Sequence, residues 1–147
     1  LYPSESSLWK NIHPNDPAIQ SLQASIIDNT DKIYAPLGVG EHVDHLIVRN
    51  WAWSLAQNST FPVQFYVEYP YLRNRKAVDT AYQAFSADLT TQKHVISESA
   101  IQHKISAMKA YKSQIKSFWD AESEIDTEVR QTFTDNGHFV EEYATLT

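Results

Sequence analysis

Apolar positions along this chain alternate between a helical and a strand-like period, and the switches lay out its elements. The opening "LYPSESSLWKNIHPNDP" has no period; polar, and broken by Pro3, Pro14 and Pro17, it reads as loop. Asp16 and Pro17 then supply an N-cap and a first-turn proline, predicting a helix over "AIQSLQASIID" with the stripe Ile19, Leu22, Ile26. A short strand, "KIYAP", follows, and Gly38 and Gly40 turn the chain into a second helix from about His42 to Gln57. Val43, Leu46, Ile47, Val48, Trp51 and Leu55 make that helix apolar on nearly every side, as suits one packed deep against a sheet. "FPVQFYVEYPY" predicts a strand ending at Pro70.

Beyond it, Arg73 to Gln92 reads as partly helical with irregular joints, and "HVISES" as one more short strand. Ser97 or Ser99 caps a long helix from Ala100 to about Phe118, on the spacing Ile101, Ile105, Met108, Tyr111, Ile115, Phe118. Another helix spans Glu122 to Phe133 and stops at "DNG"; the tail "HFVEEYATLT" is short and mixed. Strand, turn, helix and strand in this order predict one α/β domain over residues 1–147 with a largely parallel sheet.

Composition narrows the function classes. An apolar share of 42% with 12% aromatics is that of a globular chain. A net charge of −6, with the acids spread along the chain, argues against nucleic acid as a partner. No apolar run approaches the roughly 20 residues of a membrane span. Without cysteine there are no disulfides and no thiolate zinc sites, so a metal would be held by His, Asp or Glu, and a reducing cytoplasm is compatible.

Candidate chemistry concentrates in "YAPLGVGEHVDHLIVRN". On a helix His42, His45 and Arg49 share one face, a polar stripe on an otherwise greasy surface. Asp44 points elsewhere, but lies in the first turn, where the helix dipole favours a carboxylate. Strand ends of such sheets collect ligands, and Glu68, Tyr69 and Tyr71 leave the next strand at that edge as candidate substrate contacts. On residue types alone, the histidines suit metal hydrolysis or a structural role, and the Gly-x-Gly turn suits backbone binding of phosphate, though it lacks the further glycine and lysine of phosphate-loop motifs. Arg49 is a candidate for a sugar or anion, against a salt bridge on the helix face.

The same stretch resembles the C-terminal G-x-H-x-D-H motif of the PIG-L (LmbE-like) zinc-dependent deacetylases of N-acetylated sugars. "FYVEYPY" and "KISAMKAYKSQI" resemble the strand and the late helix of that family, and "YPSESSLWKNIHPNDPAIQ" resembles an insertion of one subgroup, so the likeness runs over most of the chain. The resemblance implies a Rossmann-like fold and zinc as cofactor, with His45 as a metal ligand. By the same likeness His42 steadies the oxyanion, Asp44 orients His42, and the substrate is an N-acetylated amino sugar or conjugate such as an N-acetylglucosamine derivative.

The family's other half-site, an A-H-P-D-D-E motif, has no counterpart here. "IHPNDP" reproduces its H-P-x-D spacing at His13 and Asp16, but no apolar strand precedes it and Asn15 stands at the base position. The expectation is a C-terminal portion of a longer domain, completed by an N-terminal segment, with a homo-oligomer possible. The contrasting expectation is a non-catalytic fragment or paralogue that serves as an interaction module. His94, His103 and His138 read as surface or packing residues.

Overall fold

The structure is a computed structural model that describes residues 1–9, 11–23, 32–58, 62–85 and 89–146. It is mixed α/β, and the chain divides into two compact units, Leu1–Gln92 with Tyr143–Thr147, and Lys93–Glu142.

In the first unit a 3-10 turn, Glu5–Leu8, interrupts the opening loop, and α1 (Pro17–Gln23) starts where Asp16 Oδ1 accepts the Ala18 N–H at 2.9 Å. The predicted continuation of that helix through Ile26 lies outside the described residues. Strand β1 (Ile33–Pro36), helix α2 (Val43–Asn58) and strand β2 (Val63–Tyr66) follow in the predicted order, β2 ending at Tyr66 rather than at Pro70, and β1 and β2 pair in parallel with Ala35 opposite Phe65. Alternation along the strands drives this unit's core. Ala35, Val63 and Phe65 are buried on one face, and Trp53 of α2 and Phe85 close on Phe65 with ring centroids 6.3 and 5.1 Å away. Tyr34 and Tyr66 alternate to the other face and stay exposed.

After a cis Tyr69–Pro70 bond and a 3-10 turn, α3 (Arg75–Gln83) is capped by Asn74, whose Oδ1 accepts the Ala77 N–H at 3.1 Å. Val78 and Ala81 put one face of α3 into the same core as Phe65. Strand β3 (Leu89–Val95) begins well before the predicted "HVISES".

In the second unit the predicted long helix is two helices, α4 (Glu98–Ala110) and α5 (Lys112–Phe118). Tyr111, at φ −81° and ψ 59°, leaves the helical region between them. The apolar spacing runs on across the joint, Ile115 being buried in α5 as Ile105 is in α4, so periodicity alone does not reveal the break. Ser97 caps α4, its Oγ accepting the Ala100 N–H at 3.1 Å. Helix α6 (Glu122–Thr132) packs on α4, with Ile101, Ile105, Ile125 and Val129 fully excluded from solvent. Around that contact Arg130 bridges Glu98 at 2.7 Å and Asp126 at 3.0 Å.

The tail departs furthest from expectation. "DNG" stops a helix, but it also turns a hairpin: Asn136 and Gly137 take φ of 49° and 80°, the paired positive values of a tight hairpin turn, between β4 (Thr134–Asp135) and β5 (His138–Leu146). The end of β5 then pairs antiparallel with β2, Ala144 opposite Phe65. The strand order is β1-β2-β5-β3, so a sheet expected to be largely parallel has its parallel pair at β1–β2 and antiparallel pairs where β5 meets β2 and β4. The hairpin pairs β4 and β5 antiparallel, as a two-residue turn requires.

Candidate functional site

The loop from β1 to α2 builds the site. Gly38 takes φ +82° and Glu41, though not glycine, takes φ 56°, and the Glu41 N–H donates to Gly38 O at 3.1 Å to close the turn. Gly40 is required for another reason. A Cβ there would lie 2.5 Å from the Tyr71 ring, so the ring rests directly on the glycine backbone.

Glu68, just beyond β2, locks this loop. It is 5% exposed, and its carboxylate accepts the Gly38 N–H at 2.8 Å and the Val39 N–H at 3.4 Å. The oxygen that takes Gly38 also lies 3.1 Å from His45 Nδ1, close but misaligned for a hydrogen bond. Glu68, a candidate either for substrate contact or for packing the sheet end, faces inward, with its oxygens turned to the loop and the histidine. A carboxylate so near favours the neutral tautomer with its proton on Nδ1, which leaves the lone pair on Nε2. His45 Nδ1 is buried while the side chain as a whole keeps 35% of its exposure.

His42 sits beside it, with ring centroids 5.8 Å apart. Its Nδ1 accepts the Asp44 N–H at 3.3 Å, while the Asp44 carboxylate, largely exposed, is 3.8 Å away. The orienting contact from Asp44 is thus chiefly its backbone, and a neutral His42 with an acceptor at Nδ1 carries its proton on Nε2. Trp9 covers His42 edge-on at 5.1 Å and is joined to it by an antiparallel bridge, which folds the opening segment onto the start of α2. Tyr71 stands edge-on to His45 at 6.3 Å; burial and then the Glu68 charge push its phenol pKa up.

Arg49, one turn beyond His45, has its Nε and Nη2 donating to Asn50 Oδ1 at 3.1 and 3.0 Å and its guanidinium 5.8 Å from the Phe85 ring centroid. No carboxylate among the described residues pairs with it. Burial pushes its pKa down, against the opposing fields of Glu68 and Glu41. Tyr69 lies in the turn before Pro70. His13 and Asp16 form a separate local network: His13 Nδ1 accepts the Asn15 N–H at 3.1 Å, and the second Asp16 oxygen accepts the Tyr2 hydroxyl at 2.9 Å.

Of the side chains that could hold a metal, His45 has a carboxylate close behind its Nδ1 and His42 beside it. No group of three His, Asp or Glu side chains gathers among the described residues. The loop, both histidines and Arg49 were marked by the sequence; Trp9 and the buried role of Glu68 were not, because both depend on contacts far apart in the chain. Compared with protein-family models, curated proteins and solved structures, the chain finds no match.

Proposed function

We propose that this chain carries one wall of a zinc-dependent N-deacetylase that hydrolyses the acetamide of an amino sugar or sugar conjugate. The observation that carries the reading is His45, part-exposed, with its buried Nδ1 3.1 Å from a buried carboxylate and a second imidazole beside it. Metal-binding histidines are commonly held in this way from behind. The loop before α2, the parallel β1-α2-β2 unit and the likeness to the PIG-L family suit a Rossmann-like hydrolase, whose remaining ligands and base would come from a segment beyond the described residues. A cysteine-free chain fits a cytoplasmic setting within the same proposal.

In this reading His45 would be one of the residues that hold the metal. What zinc supplies, when bound, is a polarised acetamide carbonyl and a water whose pKa falls to about 7. His42 would donate its Nε2 proton as a hydrogen bond to the carbonyl oxygen as charge gathers there, with the Trp9 ring packed edge-on against it. Water would add to the acetyl carbon, losing a proton to the base supplied by the further segment; that proton would pass to the nitrogen as the C–N bond breaks, giving acetate and a free amine. The second reading, a non-catalytic module, is favoured by the incomplete ligand set among the described residues.

Acetate release separates the two. With zinc and N-acetylglucosamine conjugates, the full-length gene product that contains this chain is expected to release acetate, and a chelator to stop it. Protein that is folded and zinc-loaded but releases none from a panel of acetylated amino sugars would leave the module reading standing.

A further inference from the structure

A second feature lies beyond the histidines, between the start of α2 and α3. A cleft of about 410 Å³, within the size range of small-ligand sites, is lined by Gly38, Val39, Glu41, Arg49, Asn74 and Lys76 among others. We propose that it binds the oxyanion of a small ligand, a phosphate or carboxylate group, between Arg49 and Lys76.

The chemistry follows from what each group has left to give. Arg49 spends its Nε and one Nη2 hydrogen on a single acceptor, Asn50 Oδ1. The end-on edge, Nη1 with the second Nη2 hydrogen, has no acceptor among the described residues. That edge is the fork that meets two oxygens of a phosphate or carboxylate at once. The guanidinium is half-buried, and an anion would restore what burial takes from its charge. Lys76, exposed in the first turn of α3, brings a second cation to the same cleft and has no carboxylate partner among the described residues. Asn74 caps α3 through Oδ1, which leaves its amide hydrogens free to donate.

Charge also limits the ligand. Glu41 lines the cleft with the two cations, so these three side chains sum to a single positive charge. A carboxylate is matched in full, a phosphate monoester, at about −1.5 to −2 near pH 7, only in part, and a polyanion not at all, while Glu41 is left to accept a hydroxyl. A sugar-sized molecule with one oxyanion and neighbouring hydroxyls fits these terms. Without it, Arg49 is held by Asn50, the Phe85 ring and the fields of Glu68 and Glu41.

Calorimetric titration of the protein at low salt with glucose 6-phosphate, glucuronate and glucose tests this, and needs neither metal nor turnover, so it can fail while acetate release succeeds, or the reverse. Saturable binding is expected for at least one anion and not for glucose; the tighter of the two anions identifies the group. Arg49→Gln should weaken it by about tenfold or more, the scale of a charge-assisted pair. Lys76→Ala, at an exposed position, should weaken it several-fold and provides the test if Arg49→Gln does not fold, while Lys112→Ala on α5 should leave it unchanged. Glucose binding as tightly as the anions, equal losses in Lys76→Ala and Lys112→Ala, or no saturable binding at all would overturn the proposal.

Discussion

At the scale of single residues, Glu68 joins the loop to the chemistry. Its carboxylate satisfies two loop N–H groups and stands behind His45, so one substitution should show two separate effects. Glu68→Ala leaves those donors unpaired in a buried place and is expected to cost about 1–3 kcal/mol per orphaned group in urea unfolding. In zinc-loaded full-length protein it should also weaken metal binding by about 10–100-fold, the usual loss when a group behind a ligand is removed. Glu68→Gln, which keeps an acceptor for Gly38, should recover most of the stability and less of the affinity. His42→Ala should retain the metal and slow acetate release by about 10²-fold or more, as loss of an oxyanion donor does. The histidines and Arg49 were legible in the sequence because helical spacing alone puts them on one face. Glu68 was legible as a residue near the site but not in its role, since its partners lie about thirty positions earlier and only the parallel pairing of β1 with β2 brings them together.

At the scale of elements, the parts that local chemistry specifies were the readable ones. Asp16-Pro17, Ser97 and the apolar run of α2 each act within a turn or two of themselves. The joint at Tyr111 was not readable, because both helices continue one apolar stripe, and neither was the descent of β5 into the sheet, which depends on a strand far away in sequence. Two glycines separate steric from conformational demands. Gly40→Ala should destabilise by about 1–3 kcal/mol through the clash with Tyr71, the cost of overpacking, and a Tyr71→Ala background should remove much of that penalty in a double-mutant cycle. Gly137 has nothing within 4 Å of a would-be Cβ, but sits at φ +80°. Gly137→Ala should therefore cost about 1–2 kcal/mol from backbone conformation alone, with no neighbour whose truncation relieves it. Chemical denaturation of the single and double variants checks both.

At the scale of the whole molecule, the chain is mixed α/β in two compact units, and the histidine loop, Glu68 and the Arg49 cleft all belong to the first. Their common support gives that unit a pH signature. Burial, and next the Glu68 charge, raise the phenol pKa of both Tyr66 and Tyr71. A raised phenol contributes stability that is complete below its ordinary value of about 10 and is lost as pH climbs through the folded value. Melting temperature should thus fall above about pH 10, and Tyr66→Phe with Tyr71→Phe should flatten the decline. The predicted largely parallel sheet missed because order along the chain specifies neighbours for β1, α2 and β2 but not the sense in which a C-terminal hairpin returns. The most direct test of the metal-site reading is the zinc content of the full-length gene product after dialysis, for wild type, His45→Ala and His42→Ala. About one zinc per chain in wild type and His42→Ala, and none in His45→Ala, is the expected result for a single ligand set that includes His45. Equal zinc in all three proteins, or none in the folded wild type, would contradict it.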